Sequence, residues 1–306
     1  MNHLVANASL SVNTPVAPRR ILAIFNPAAG RHRRPRFDAT IAALKDLGCV
    51  VTVVETQAPG HAEEIARAVV VEDFDVIAAA GGDGTVNEII NGLPGKALAL
   101  GLLPLGTANV LADEIGLTKA TDVVARTLAA GPIRPIYVGR ANGRRFCMMA
   151  GAGFDANVVS GVSLALKKKV GPLAYAWQAF VQGFRDAYSP CDVTVDGVAY
   201  KTTSAVACNG RRYGGPFVAA PQASLADDSF QVVLMKGRGW FSVLRYGLGL
   251  MAGKVGAWPD VHILAGREVT VVGQKGQPVQ ADGDILTTLP LKLTIDPEPV
   301  RLIYPE

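Results

Sequence analysis

Eight consecutive residues, Gly81-Gly82-Asp83-Gly84-Thr85-Val86-Asn87-Glu88, follow an apolar run and open a helical pattern. The glycines let the backbone fold tightly and turn its N–H groups toward an anion. The helix N-terminus behind them adds partial positive charge. Together they describe a cradle for phosphate, with Asn87 and Glu88 in the first turn of the helix. A carboxylate inside such a cradle repels phosphate unless a cation bridges the two. Asp83 therefore implies Mg²⁺, or a role in orienting a nucleophile. The same string also reads as a plain Asp-Gly turn joining strand to helix.

Three further loops share the character of the first. Asn26-Pro27-Ala28-Ala29-Gly30 ends one apolar run, Thr56 closes another, and Pro104-Leu105-Gly106-Thr107-Ala108-Asn109 ends a third. All four lie where open α/β sheets hold ligands, at the carboxyl ends of strands. Their spacing matches neither G-x-x-x-x-G-K-[ST] nor G-x-G-x-x-G. The elements needed to place these loops are predicted as strands over 21–26, 49–55, 76–80 and 98–103. Helices are predicted over 36–47, 62–71, 85–91 and 108–115. That alternation implies right-handed βαβ units and a parallel sheet. After about residue 140 two helical segments are predicted, over 156–168 and 173–187. Short runs follow at 193–195, 204–208, 230–234, 261–264, 269–272, 279–281 and 291–295. Asp196-Gly197, Gly214-Gly215 and Asp282-Gly283 divide them as turns, and one helix over 240–251 interrupts them. The expected organisation is a tail over 1–18, an α/β domain over 19–140, and an antiparallel β-sandwich over 141–306. The final strand is free to return to the first domain.

Composition narrows the classes. Of 306 residues 49% are hydrophobic and 18% charged, which excludes intrinsic disorder. The longest apolar stretch, 97–112, is interrupted by Pro104 and Gly106 and is too short to span a bilayer. Residues 1–18 contain no Lys or Arg and do not read as a secretory signal. Four scattered cysteines and four histidines show neither disulfide nor metal-ligand spacing, and the cytoplasm is the expected compartment. Basic clusters at Arg31, Arg33, Arg34 and Arg36, and at Lys167–Lys169, suit phosphates or anionic lipid heads, or are solvated faces. Arg211 and Arg212 precede a glycine-rich turn and read as phosphate ligands or as a surface hairpin. Leu173, Trp177, Phe180 and Phe184 share one helical face, and the 240–251 helix carries Trp240, Phe241, Leu244, Leu248 and Met251. Each face reads either as domain packing or as a surface for an anionic membrane.

GGDGTVNEIINGL with PLGTANVLADEIGL resembles the catalytic domain of the diacylglycerol kinase and sphingosine kinase superfamily, most closely its bacterial soluble lipid kinases. NPAAG (26–30), GAGFDA (151–156), CNGRRYGGPFVAAP (208–221) and ADGD (281–284) extend the resemblance over nearly the whole chain. It implies a Rossmann-like nucleotide domain followed by an antiparallel β-sandwich, with the active site in the cleft between them. It implies transfer of the ATP γ-phosphate to a hydroxyl of a diacylglycerol-like lipid, sphingoid base or ceramide. Nucleotide contacts then fall on Asn26, Thr56, Gly81, Gly82, Asp83, Gly84, Thr85, Val86, Asn87, Glu88 and Thr107. The family's general base, usually Glu, falls on Asp284, one methylene shorter, with Asp282 and Asp83 sharing the catalytic work. Its structural Mg²⁺ site falls on Asp227, with Ser224 and Ser229 offering carbonyls. There Asp228 replaces a glycine and Gln231 replaces the second acid. The partners implied are ATP, Mg²⁺ and a lipid at the inner face of the membrane, with a homodimer left open and no nucleic acid. The competing readings are an NAD kinase with the same glycine loop, and a homologue that binds nucleotide or lipid without turnover.

Overall fold

A computed structural model describes residues 18–30, 33–153, 156–157, 190–214 and 217–306. The helix predicted over 156–168, apart from its first two residues, the helix predicted over 173–187, and Lys167–Lys169 lie outside those residues.

The first half is a three-layer α/β unit. Its elements run β1 (Arg20–Phe25), a turn of helix α1 (Pro27–Gly30), α2 (Arg34–Asp46), β2 (Val50–Glu55), α3 (His61–Ala68), β3 (Val76–Gly81), α4 (Asp83–Gly92), β4 (Ala99–Pro104), α5 (Val110–Glu114), α6 (Thr121–Ala130) and β5 (Ile133–Ile136). Every residue of β3 and β4 is buried. That is the condition of parallel strands covered on both faces, and it explains why these strands appear as unbroken apolar runs. Small side chains bring the layers close. A Cβ on Gly92 of α4 would lie 2.5 Å from the Glu63 carbonyl of α3. The sheet order is β2-β1-β3-β4-β20-β5, where β20 (Val300–Ile303) is the last strand of the chain. The order reverses between β1 and β3, so the loops after these two strands flank the crevice of an open α/β sheet.

The second half is a sandwich of two six-stranded antiparallel sheets. One contains β10 (Val198–Thr202), β9 (Cys191–Val195), β16 (Glu268–Val272), β19 (Leu291–Ile295), β6 (Gly139–Ala141) and β7 (Arg144–Phe146). The other contains β15 (Val261–Gly266), β14 (Phe230–Met235), β11 (Ser204–Cys208), β8 (Met149–Gly153), β17 (Pro278–Ala281) and β18 (Asp284–Thr288). They share one apolar core, centred on Phe146 stacked on Phe230 at 5.7 Å. Helix α7 (Gly239–Met251) covers the outer face of the second sheet, where Tyr246 joins Val206 and Val233. A hairpin of β12 (Arg212–Gly214) and β13 (Phe217–Val218) lies beside it.

The halves are joined by more than chain crossings. Arg145 of β7 is buried and pairs with buried Asp296, while its N–H donates to Asn91 Oδ1 of α4 at 3.0 Å. Helix α6 and strands β5, β6, β7, β8, β10, β12, β13 and β18 match no predicted element, and the final strand β20, beyond the last predicted run, pairs with β4 and β5 of the first sheet. Strand β5 is a short edge strand with Pro135 and an exposed face, so it carries little of the apolar signature.

Candidate active site

The loops after β3 and β4 are knitted together through their backbones. Gly81 and Pro104 are register partners, and the Gly81 carbonyl accepts from Leu105 N–H (2.8 Å) and Gly106 N–H (3.0 Å). Side chains have no room here. A Cβ on Gly81 would lie 2.3 Å from Thr85 Oγ1, and one on Gly106 would lie 2.4 Å from Gly82 Cα. The glycines are thus required by close approach, which leaves a small, backbone-lined hollow at the N-terminus of α4. Asn26 ties the β1 loop into the same hollow. Its amide donates to Thr85 Oγ1 at 3.1 Å and its carbonyl oxygen accepts from Ala28 N–H at 3.0 Å. Thr56 is buried at the end of β2, its N–H on the Phe25 carbonyl, and Thr107 is exposed at the tip of the β4 loop. Two guanidinium groups brace that loop: Arg33 donates to the Leu105 and Gly106 carbonyls, and Arg36 to that of Pro104. They place fixed positive charge beside the hollow.

Three carboxylates surround the start of α4, and each is held differently. Asp83 begins the helix and turns its side chain to α5, accepting from Asn109 N–H (2.9 Å) and Val110 N–H (2.6 Å). Asn109, at φ 54°, aims those N–H groups. Asp282 sits with Gly283 at the tip between β17 and β18, both at positive φ (48° and 81°), the signature of a tight hairpin turn. Its carboxylate accepts from the N–H groups of Cys147 (2.7 Å), Met148 (2.8 Å) and Met149 (3.1 Å) and from Asn87 Nδ2 (2.8 Å). Asp282 therefore clamps the sandwich onto α4. Burial pushes the carboxyls of Asp83 and Asp282 above their ordinary values, against the N–H donors that pull them down; the charge of Asp282 adds to the upward push on Asp83. The two acids line one cavity of ≈ 20 Å³ with Val86, Leu111, Cys147 and Met148. Burial, with both acids nearby, also drives the Cys147 thiol well up, so it stays neutral.

Asp284 is exposed on the other side of the turn. A Cβ placed on Gly84 would lie 4.0 Å from Asp284 Oδ2. The sandwich thus delivers an accessible carboxylate to the open mouth of the glycine loop.

Other residues singled out from the sequence have structural partners. Glu88 accepts from Gly60 N–H (2.9 Å) and Ala62 N–H (3.1 Å), holding the N-terminus of α3. Glu114 of α5 accepts from Arg211 N–H (3.1 Å), Arg211 Nε (3.0 Å) and Arg212 N–H (3.2 Å), which docks the β12–β13 hairpin on α5. Ser224, Asp227 and Ser229 lie in the turn before β14. The Ser224 carbonyl accepts from Asp227 N–H at 3.0 Å, and Asp228 pairs with Arg267. Among the described residues no group of three or more His, Cys, Asp or Glu side chains could hold a metal ion. The sequence reading did not anticipate the N–H groups of 147–149 or the capping role of Glu88. Neither has a local signal, because the partners lie far apart in the chain.

An open α/β crevice facing the tip of an antiparallel β-sandwich defines the fold class of this chain. Comparison with known proteins places the chain within that class. Residues 20–141 match the diacylglycerol kinase catalytic domain, and residues 148–304 match the YegS C-terminal NAD kinase beta sandwich-like domain. The chain belongs to this diacylglycerol kinase and YegS-type family and is, by that membership, a lipid kinase. It is 29% identical to a "Diacylglycerol kinase" of Bacillus subtilis over 89% of this chain and 92% of that protein. It is equally 29% identical to a "Probable lipid kinase YegS-like" of Pseudomonas aeruginosa, over 87% of this chain and 89% of that protein. A crystal structure of a Bacillus anthracis diacylglycerol kinase shares the fold. Its TM-score is 0.78 at 21% identity, covering 94% of this chain and 98% of that one. Among the described residues no helix is long and apolar enough to cross a membrane.

Proposed function

We propose that this chain transfers the γ-phosphoryl group of ATP to the hydroxyl of a membrane lipid of the diacylglycerol, sphingoid-base or ceramide class. The observation that carries the reading is Asp284 Oδ2 standing over Gly84 at the mouth of a glycine-built cradle. Gly84 is exposed, with nothing nearer its Cβ position than Asp284, so phosphate oxygens can approach its backbone directly. In this reading Gly84 gives the phosphates access, and Gly81, Gly82 and Gly106 let the two loops pack closely enough to present it. Asn26 and Thr85 hold the loop shape, and Arg33 and Arg36 supply charge. A lipid hydroxyl is a weak nucleophile near neutral pH, and Asp284 accepts its proton as the oxygen attacks γ-phosphorus. The bond from γ-phosphorus to the bridging oxygen breaks and ADP leaves with that electron pair. Asp83 and Asp282 fix the geometry of the two walls, since both already accept backbone N–H groups.

Phosphoryl transfer of this kind uses Mg²⁺, which neutralises the β- and γ-phosphate oxygens. Such an ion needs one or two carboxylates besides phosphates and water. A structural ion held by Asp227 with the Ser224 and Ser229 carbonyls, in the turn before β14, stays part of this reading.

The test is purified protein with labelled ATP, Mg²⁺ and detergent-dispersed diacylglycerol, monoacylglycerol, ceramide or sphingoid base, with products read by mass spectrometry. A phosphorylated lipid is expected. Phosphorylation of NAD with no lipid product, or ATP binding without any turnover, overturns the reading.

A further inference from the structure

Helix α7 is packed inside out. Its buried residues are Ser242, Tyr246 and Gly249. Gly249 admits the backbone that follows, since a Cβ there would lie 2.9 Å from Val255 Cα. The large apolar side chains point the other way. Phe241, Leu244, Leu248 and Met251 are 63%, 52%, 58% and 63% exposed. At ~100° per residue these four fall within an arc of ~80°, opposite the buried three. Trp240 is 47% exposed and stands edge-on to Phe241, ring centroids 5.9 Å apart. Single exposed apolar residues are ordinary, but a contiguous stripe of this size marks a contact surface.

The charge pattern selects the occupant. From residue 229 to residue 259 the chain has no Asp or Glu, yet it has Lys236, Arg238, Arg245 and Lys254. Arg238 directly precedes the first turn of α7 and Lys254 follows the last; both are exposed, as is Lys236. Arg245 pairs with Asp260 and stacks over Trp258 at 4.8 Å, on the side of the helix toward the protein. Apolar side chains along one face with cations at both ends suit an anionic bilayer, the side chains at the acyl boundary and the cations at headgroup level. The helix also has a rigid connection to the cradle. A Cβ on Gly253 would lie 3.7 Å from Val218 of β13; the β12–β13 hairpin is held by Glu114 of α5; and the first N–H groups of α5 hold Asp83.

We infer that α7 docks this chain on an anionic membrane surface. Its use for catalysis rests on the lipid-acceptor reading above, but its test does not. Full-length protein without nucleotide is sedimented with vesicles of phosphatidylcholine containing phosphatidylglycerol, and with vesicles of phosphatidylcholine alone. The wild type is expected to sediment with the first and far less with the second. Phe241→Asp with Leu248→Asp should lower the vesicle affinity about ten-fold or more. Arg238→Glu with Lys254→Glu should lower it several-fold and reduce its salt sensitivity. Thermal midpoints, and turnover of detergent-dispersed lipid, should stay near wild type, since these side chains face away from the core. The described cysteines are all buried. A Leu248→Cys variant carrying a polarity-sensitive dye should therefore report a blue shift on the anionic vesicles. The proposal fails if wild type does not bind those vesicles, or if the Asp variant binds as well as wild type. It also fails if wild type is a dimer that the same variant splits, which would make a second copy the occupant. Vesicle binding without lipid phosphorylation retires the kinase reading and leaves α7 standing; phosphorylation of dispersed lipid without vesicle binding does the reverse.

Discussion

The two walls of the cleft are built on different principles. The α/β wall is made of absence: Gly82 and Gly106 pack backbone against backbone, Gly81 makes room for the Thr85 side chain, and Asp83 is occupied by N–H groups at the start of α5. The sandwich wall is a hairpin tip whose two acids divide the labour. Asp282 faces inward, accepting four N–H donors, while Asp284 faces the open mouth of the loop. One wall is shaped by close backbone packing and the other presents an exposed carboxylate. Two carboxylates separated by one glycine can therefore have opposite consequences when changed.

The sharpest way to break this contrast is Asp284→Asn. We expect turnover of the lipid acceptor to fall by about 10²–10⁴-fold, the usual range for a lost general base. ATP binding by calorimetry and the thermal midpoint should stay close to wild type, because the side chain is exposed. Full activity would remove the base from this residue. Asp284→Glu, which restores the residue type usual in the family, should retain substantial turnover.

The neighbouring change should act on stability instead. Asp282→Asn leaves an amide facing three backbone N–H groups, and unsatisfied buried donors cost ~1–3 kcal/mol each. A loss of ~2–4 kcal/mol in urea unfolding is expected. If the variant unfolds like wild type and only turnover falls, Asp282 belongs with Asp284 and the division of labour is wrong.

Gly106→Ala tests the shape of the other wall. Its Cβ would meet backbone at 2.4 Å, and backbone cannot rotate away as a side chain can. Overpacking of this kind costs ~1–3 kcal/mol. ATP affinity should fall more than stability, because the displaced atoms are those of the cradle.

The smallest effect belongs to the far end of β3. Asp75 precedes that strand, and hydrogen bonds with Arg20 hold its carboxyl below the ordinary value. A depressed folded pKa contributes stability above the unfolded pKa, and that contribution is lost as pH falls through the folded one. Asp75→Asn should therefore cost a few tenths of a kcal/mol at neutral pH, because the pair is exposed, and nothing at strongly acid pH. Chemical unfolding at the two pH values checks it, and turnover should not change.

Much of this cleft was legible before any coordinates. Strands β1, β3 and β4 are buried on both faces, so each is a continuous apolar run with its loop directly after it. Sandwich strands such as β9 and β16 alternate, and Asp196-Gly197 and Asp282-Gly283 form the turns read there, whereas β8 and β11 are buried on both faces and do not alternate. Strand β5 was not legible, because a four-residue edge strand with an exposed face carries too few apolar positions. The purpose of Glu88 was equally hidden, since its partners lie 28 and 26 residues upstream. Helix α7 shows the same limit. The stripe Phe241, Leu244, Leu248 and Met251 is plain in the sequence, but a core-facing and a solvent-facing stripe have the same periodicity.

The sequence by itself determined the glycine loop, the parallel sheet beneath it and the family to which the chain belongs. These depend on local requirements: glycine where no Cβ fits, apolar runs where both faces are covered, and turn residues where the chain reverses. Only the tertiary structure separated the three acids. Asp83, Asp282 and Asp284 are chemically alike, but the first two are partly buried against backbone N–H groups and the third is exposed. Those N–H groups arrive from α5 and from the start of β8, 26–27 positions after Asp83 in one case and 133–135 positions before Asp282 in the other. Such long-range pairings are set by how the two halves pack, which no local pattern records.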